Sequence, residues 1–203
     1  MIVLGHRGAG WQHDQLPFWQ ENTLESFQEA KELHADGIET DVRLYNNQLV
    51  LHHDKIEDAP WERNLPTLID LLEWSDDNFI LNLEIKDKDA VAPLIDVIKS
   101  YPNKKYIVSS FWHKTVHHVK NKLPDIECGL LMSFNPISTT VFKALIPDTI
   151  DTVIWDHTIV DQQLIDDMSN LRHMVYGVSS RTLVSNLDGI ISDDLNVHAV
   201  GLD

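Results

Sequence analysis

The sequence predicts a compact (β/α)₈ barrel, an α/β fold of the TIM type with a closed parallel sheet. Three observations point there. Short β-rich runs alternate with helix-like stretches along all 203 residues, the pattern of parallel strands joined by crossover helices. The length sits near the lower end of the roughly 200 to 400 residues that such barrels use. No repeat, low-complexity tract or Gly/Ser/Pro linker interrupts the chain, so residues 1–203 read as one domain.

Strands are expected at Ile2–His6, Ile38–Leu44, Gln48–His53, Phe79–Lys86, Tyr106–Ser110, Glu127–Met132, Thr152–Asp156, Met174–Ser179 and Gly189–Asp193. That is one too many for the barrel, and Tyr45-Asn46-Asn47 accounts for the extra strand. The connection is far too short for a parallel crossover, and Asn-Asn suits a tight turn. Gln48–His53 should therefore fold back on Ile38–Leu44 as a hairpin.

Helices are expected at Thr23–Asp36, Leu68–Asp76, Asp89–Ser100, His113–Leu123, Ser138–Leu145 and Asp161–Asn170, with a turn at Thr182–Asn186. For the first helix Asn22 reads as N-cap with Glu25 as its capping-box partner, and Gly37 as its end.

The charged residues on two strands carry the chemistry. Alternation puts Glu39, Asp41 and Arg43 on one face of the second strand, opposite Ile38, Val42 and Leu44. The next barrel strand repeats this with Asn82, Glu84 and Lys86 against Leu81, Leu83 and Ile85. If the polar faces point inward, Glu39, Asp41 and Glu84 converge where ionised carboxylates need a cation. An all-oxygen set favours a hard divalent ion, Mg²⁺ or Ca²⁺, with Mn²⁺ also admissible and zinc disfavoured. Otherwise these would be exposed residues, or carboxylates neutralised by Arg43 and Lys86.

A histidine joins them. The hairpin brings either His52 or His53 across from Glu39–Asp41; a two-residue loop selects His52 and a three-residue loop His53. His6 and Arg7 end the first strand, on the side where barrel active sites lie.

Composition narrows the partners. With a formal charge of −16, the protein should repel nucleic acid and anionic membranes, and no Lys/Arg cluster offsets this. The longest apolar runs are strand-sized, so no integral membrane association is expected. Cys128 is the only cysteine, which excludes an intramolecular disulfide, and the N-terminal apolar run is too short for a signal peptide. A small-molecule ligand and a cytoplasmic location are the expectation.

Taken in order, His6-Arg7-Gly8, Glu21-Asn22-Thr23-Leu24-Glu25-Ser26-Phe27, Glu39-Thr40-Asp41-Val42, His53-Asp54 and Leu83-Glu84-Ile85-Lys86 resemble the glycerophosphodiester phosphodiesterase family. Val108-Ser109-Ser110-Phe111 and Asp188-Gly189-Ile190-Ile191-Ser192-Asp193 extend the likeness. The resemblance implies Glu39, Asp41 and Glu84 as metal ligands, His6 and His53 as an acid/base pair, and Arg7 and Lys86 as phosphate-binding residues. It thereby favours His53 over His52. The implied substrate is a small phosphodiester, cleaved to glycerol 3-phosphate and an alcohol. A cyclising, lyase-type phospholipase is the alternative, and a non-catalytic phosphate-binding barrel a more remote one.

The chain also departs from that family. Only 29 residues separate Asp54 from Glu84, so the family's cap insertion is reduced or missing. Gln20 replaces a proline, and Tyr176-Gly177-Val178-Ser179 stands where the family has Trp-Thr-Val-Asn. The loop 9–20, with Trp11, Phe18 and Trp19, either covers the site in place of the cap or packs on the barrel rim. His113 and His117 have helical metal spacing but read as a polar helix face, and His34, His157, His173 and His198 as surface or capping residues.

Overall fold

The structure is a computed structural model that describes residues 1–9, 21–56, 65–180 and 184–199. Strands β1 (Ile2–Gly5), β2 (Gly37–Tyr45), β3 (Gln48–Leu51), β4 (Ile80–Ile85), β5 (Lys105–Ser110), β6 (Glu127–Met132), β7 (Thr152–Asp156), β8 (Arg172–Val178) and β9 (Gly189–Ser192) form one sheet. Its order is β1-β9-β8-β7-β6-β5-β4-β2-β3, and pairing of β1 with β2 closes it. Eight strands are parallel, and β3 alone runs antiparallel, against β2.

The hairpin forms as its sequence dictates. Asn46 and Asn47 both adopt positive φ, 47° and 61°, the type I′ conformation that matches strand twist. The loop is therefore two residues long, with Tyr45 opposite Gln48 and Val42 opposite Leu51. The ladder then runs on to His52, whose amide donates to the Asp41 carbonyl at 3.0 Å.

Helices α1 (Leu24–Glu32), α2 (Leu68–Trp74), α3 (Val91–Ser100), α4 (His113–Lys122), α5 (Thr139–Leu145), α6 (Gln162–Asp167) and α7 (Asn196–Ala199) intervene, with a 3₁₀ turn at Lys88–Ala90. Most boundaries fall within a few residues of expectation, but α1 differs at both ends. Its cap is Thr23, whose hydroxyl accepts from the Ser26 amide at 3.2 Å. Its end is marked by His34 at φ 62°, not by Gly37. Gly37 opens β2 instead, where an added Cβ would lie 2.0 Å from the Ile80 carbonyl oxygen. Part of the turn expected at 182–186 lies outside the described residues.

The core has two layers. Leu4, Ile107, Leu131, Ile154, Met174 and Ile191 fill the barrel interior on its N-terminal side. Outside, residues such as Phe27, Leu71, Leu94 and Val116 seal helices onto the sheet. His173 is a correction to the surface assignment: it is buried, stacks on Trp155, accepts from the Trp155 indole at 3.1 Å and bonds the Met168 carbonyl at 2.9 Å. Among the described residues no helix is long and apolar enough to cross a membrane.

Candidate active site

The parallel register between β2 and β4 sets Asp41 opposite Glu84 and Glu39 opposite Asn82. All three carboxylates point into the barrel and are buried, at 2%, 1% and 7% relative exposure for Glu39, Asp41 and Glu84. One oxygen from each lies within 4.8 Å of the others. Sequence alternation thus brought the predicted trio together.

Their charges are only partly compensated. Lys86 Nζ reaches Glu84 at 2.6 Å and Asp41 at 3.1 Å, and Arg7 Nε approaches Asp41 at 3.5 Å. Arg43, on the same strand face, turns away to Asp87 at 2.6 Å. Burial is the largest influence on each carboxyl. For Glu39, burial and the neighbouring Asp41 push the pKa up to about 8. Burial also holds Glu84 above the usual range, against the pull of Lys86. At Asp41 burial is outweighed by Lys86, Arg7 and the Asn22 hydrogen bond, and the pKa falls.

Buried oxygens are left over. Glu39 Oε1 and Asp41 Oδ1 accept no hydrogen bond, although the Lys86 ammonium stands near the latter. An orphaned buried carboxylate oxygen is costly. Two of them beside a third carboxylate fit a hard divalent cation, in both donor chemistry and spacing.

The first histidine sits at the mouth beside this cluster. His6 follows β1, and the register of β1 with β9 pairs Gly5 with Ser192, so the next residues, His6 and Asp193, meet. His6 Nδ1 forms a short hydrogen bond with Asp193 Oδ1, and its Nε2 lies 3.8 Å from Glu39 Oε2. Burial alone would lower the His6 pKa, but the Asp193 hydrogen bond and the charges of Glu39 and Asp193 raise it overall. Burial acts against Asp193 too, yet its partner His6 brings that carboxyl below the ordinary range.

The His6-Arg7-Gly8 turn is clamped by the start of α1. Arg7 has φ 53° and Gly8 φ 109°, conformations that suit glycine best. The Arg7 carbonyl accepts from the Asn22 amide at 2.8 Å and the Ser26 hydroxyl at 3.2 Å. The Arg7 amide donates to Glu39 at 3.0 Å, and its guanidinium to Glu21 at 2.9 Å. Arg7 thus ties three sequence motifs into one structure.

The second histidine lies just past the hairpin. With a two-residue loop, strict alternation would select His52. The strand ends at Leu51, however, and the chain bends at His53 and Asp54. Arg43 donates twice to the His53 carbonyl, at 3.1 and 2.7 Å, and so ties this turn to Asp87. The His53 imidazole bonds Asp54 at 2.9 Å through Nδ1 and is among the groups that lower the Asp41 pKa. His52 also feels Asp41, but burial drives its pKa down.

Two further residues contribute. Asn22 has φ 58° and is buried; its side chain donates to Asp41 at 2.8 Å and accepts from the Thr40 hydroxyl at 2.6 Å and the Asp41 amide at 3.1 Å. It braces a carboxylate instead of capping α1. Asp193, at the end of a late strand, reads from sequence as able to approach the site but more readily as a turn residue; the register of β9 with β1 brings it to His6. The aromatic loop 9–20 lies, beyond Ala9, outside the described residues, as does 57–64, part of the segment where a cap would insert.

The sequence model of the glycerophosphoryl diester phosphodiesterase family matches residues 6–71, the segment that holds His6, Arg7, Glu39, Asp41 and His53. A glycerophosphodiester phosphodiesterase from Caldanaerobacter subterraneus subsp. tengcongensis is 32% identical over 166 residues, 64% of this chain and 66% of that one. The matched stretch thus spans just under two thirds of that relative. The crystal structure of a glycerophosphodiester phosphodiesterase from Thermotoga maritima superposes with a TM-score of 0.79 at 23% identity, over 98% of this chain and 96% of the other. A phosphodiesterase from Oleispira antarctica, in complex with the product sn-glycerol-3-phosphate, gives 0.80 at 20% identity over 98% and 96%. These two establish the shared barrel. The family match over residues 6–71 and the curated relative make the chain similar in sequence to the glycerophosphoryl diester phosphodiesterase family.

Proposed function

We propose that this protein is a metal-dependent enzyme that hydrolyses a glycerophosphodiester to glycerol 3-phosphate and an alcohol. The observation that carries the reading is the buried trio of Glu39, Asp41 and Glu84, with oxygens lacking hydrogen bonds, beside an imidazole braced by Asp193. The relative from C. subterraneus and the product-bound O. antarctica enzyme support the choice of substrate.

Glu39, Asp41 and Glu84 are the residues that would hold Mg²⁺, Ca²⁺ or Mn²⁺. When bound, such an ion neutralises phosphate oxygens and makes a nearby hydroxyl more acidic. Arg7 and Lys86 add positive charge where an otherwise acidic protein must receive an anion. The Asp193 carboxylate accepts a hydrogen bond from Nδ1–H of His6, and Asp54 bonds Nδ1 of His53, which leaves each Nε2 to exchange protons. One imidazole removes a proton from the nucleophile and the other protonates the departing alkoxide. The buried free thiol of Cys128 accords with a cytoplasmic location.

Phosphorus NMR of sn-glycero-3-phosphocholine incubated with the enzyme and Mg²⁺ tests the reaction type. The expected spectrum shows loss of the diester and growth of glycerol 3-phosphate. Accumulation of a persisting cyclic glycerol phosphate would instead establish the cyclising, lyase-type reaction.

A further inference from the structure

One sector of the barrel mouth is conspicuously apolar. Among the described residues eight large hydrophobic side chains are exposed, and six of them, Phe111, Trp112, Phe134, Ile137, Val141 and Leu145, fall between the end of β5 and the end of α5. Phe111, Phe134 and Leu145 line a single groove of about 580 Å³. Its floor and walls include the apolar side chains of Leu130, Phe142 and Ile146. An apolar concentration of this kind on an otherwise strongly acidic protein marks a binding surface.

The groove begins at Phe111, just past the strand that neighbours the one bearing Glu84. Register sets Ser109 of β5 opposite Glu84, so Phe111 emerges at the mouth two residues farther along. The Ser110 hydroxyl fastens this strand end to the Ile85 carbonyl at 2.7 Å, between the residues Glu84 and Lys86. The Phe111 ring packs edge-on against Tyr176, centroids 6.0 Å apart, and the Tyr176 hydroxyl donates to Asp156 at 3.2 Å. Phe111 therefore stands between Tyr176 and the groove.

We infer that this groove is a subsite for an aliphatic chain on the alcohol half of the diester. The inference rests on the phosphodiesterase reading, in which the glycerol 3-phosphate half is constant and polar and the alcohol is what varies. Cations near the carboxylates and an apolar trough leading away from them complement an amphiphile whose phosphate and chain are adjacent. A trough lined by phenylalanine and leucine gains most from a ligand that removes that surface from water.

The test is kcat/KM for alkyl esters of glycerol 3-phosphate, from methyl to decyl, below their aggregation concentrations. Beyond ethanol the leaving alkoxides are chemically equivalent, so any trend reports binding of the chain. A rise of about two- to fourfold per methylene is expected until the groove is filled. Phe134→Ser with Leu145→Ser should cut the decyl-to-methyl ratio at least tenfold. A flat series with good methyl turnover would overturn the subsite and leave the phosphodiesterase reading standing. No turnover of any ester, glycerophosphocholine included, would remove both. A gain confined to concentrations above aggregation would assign the patch to a lipid surface, and a change in sedimentation mass with an unaltered slope to a second copy; either overturns the subsite.

Discussion

Replacement of His6 by alanine is expected to lower kcat on a glycerophosphodiester by about three orders of magnitude with little change in KM. The imidazole touches Glu39 and Asp193 at the mouth and contributes little to the apolar core, so circular dichroism and thermal melting should stay close to wild type. Asp193→Asn is the companion variant. An amide in place of the carboxylate no longer fixes the proton on Nδ1, and kcat should fall roughly 10- to 100-fold, again without a matching rise in KM. A purely structural role for Asp193 would instead lower stability and leave kcat per folded molecule unchanged. Full activity in the His6 variant would exclude its acid/base role.

The second large effect is on stability. In the metal-stripped protein, Glu39 is pushed up to about 8 by burial and by Asp41. Its folded-state value thus exceeds that of the unfolded chain, near the ordinary 4.5. Between those two values the folded state binds more protons, and stability falls as pH rises. His6 acts in the same direction: its raised pKa stabilises the fold at low pH, and that contribution is lost as pH climbs through the folded value. Asp41, shifted down, contributes a term already complete in this range. EDTA-treated protein should therefore melt at a higher temperature at pH 5.5 than at pH 8.

Glu39→Gln removes the carboxylate while keeping the shape. At pH 8 the metal-stripped variant should melt about 5 °C or more above the wild type, a gain on the order of a few kcal/mol. The same change should abolish turnover and the stabilisation of the wild type by Mn²⁺ or Mg²⁺. Binding energy for a cation would thus be stored as instability of the empty cluster. A variant that is less stable at pH 8, or that still gains stability from the metal, would contradict this account of the trio.

Much of this was readable before any coordinates, and for identifiable reasons. Alternation on β2 and β4 is a local property, so it disclosed that Glu39, Asp41 and Glu84 share a face. The shortness of Tyr45-Asn46-Asn47 disclosed the hairpin and thereby the count of eight barrel strands. Features that depend on register or on three-dimensional partners did not show. Asn22 looks like a helix cap because Asn is among the best N-cap residues, ahead of Thr; only the proximity of β2 reveals that it braces Asp41. The two hydrogen bonds of Arg43 to the His53 carbonyl, which hold the turn after the hairpin, are a feature no period-two pattern records. Asp193 and His6 lie 187 positions apart, and their meeting follows from the closure of β9 on β1. His173 reads as a surface residue until Trp155 supplies its partner across the neighbouring strand.

The most direct measurement is turnover of sn-glycero-3-phosphocholine by EDTA-treated enzyme, followed as glycerol 3-phosphate release while Mg²⁺, Mn²⁺ or Ca²⁺ is added back. The account predicts negligible rate without metal, restoration by at least one of the three ions, and no restoration in Glu39→Gln. Undiminished turnover in the presence of EDTA, or restored turnover in that variant, would contradict the assignment of a catalytic cation to the buried carboxylates.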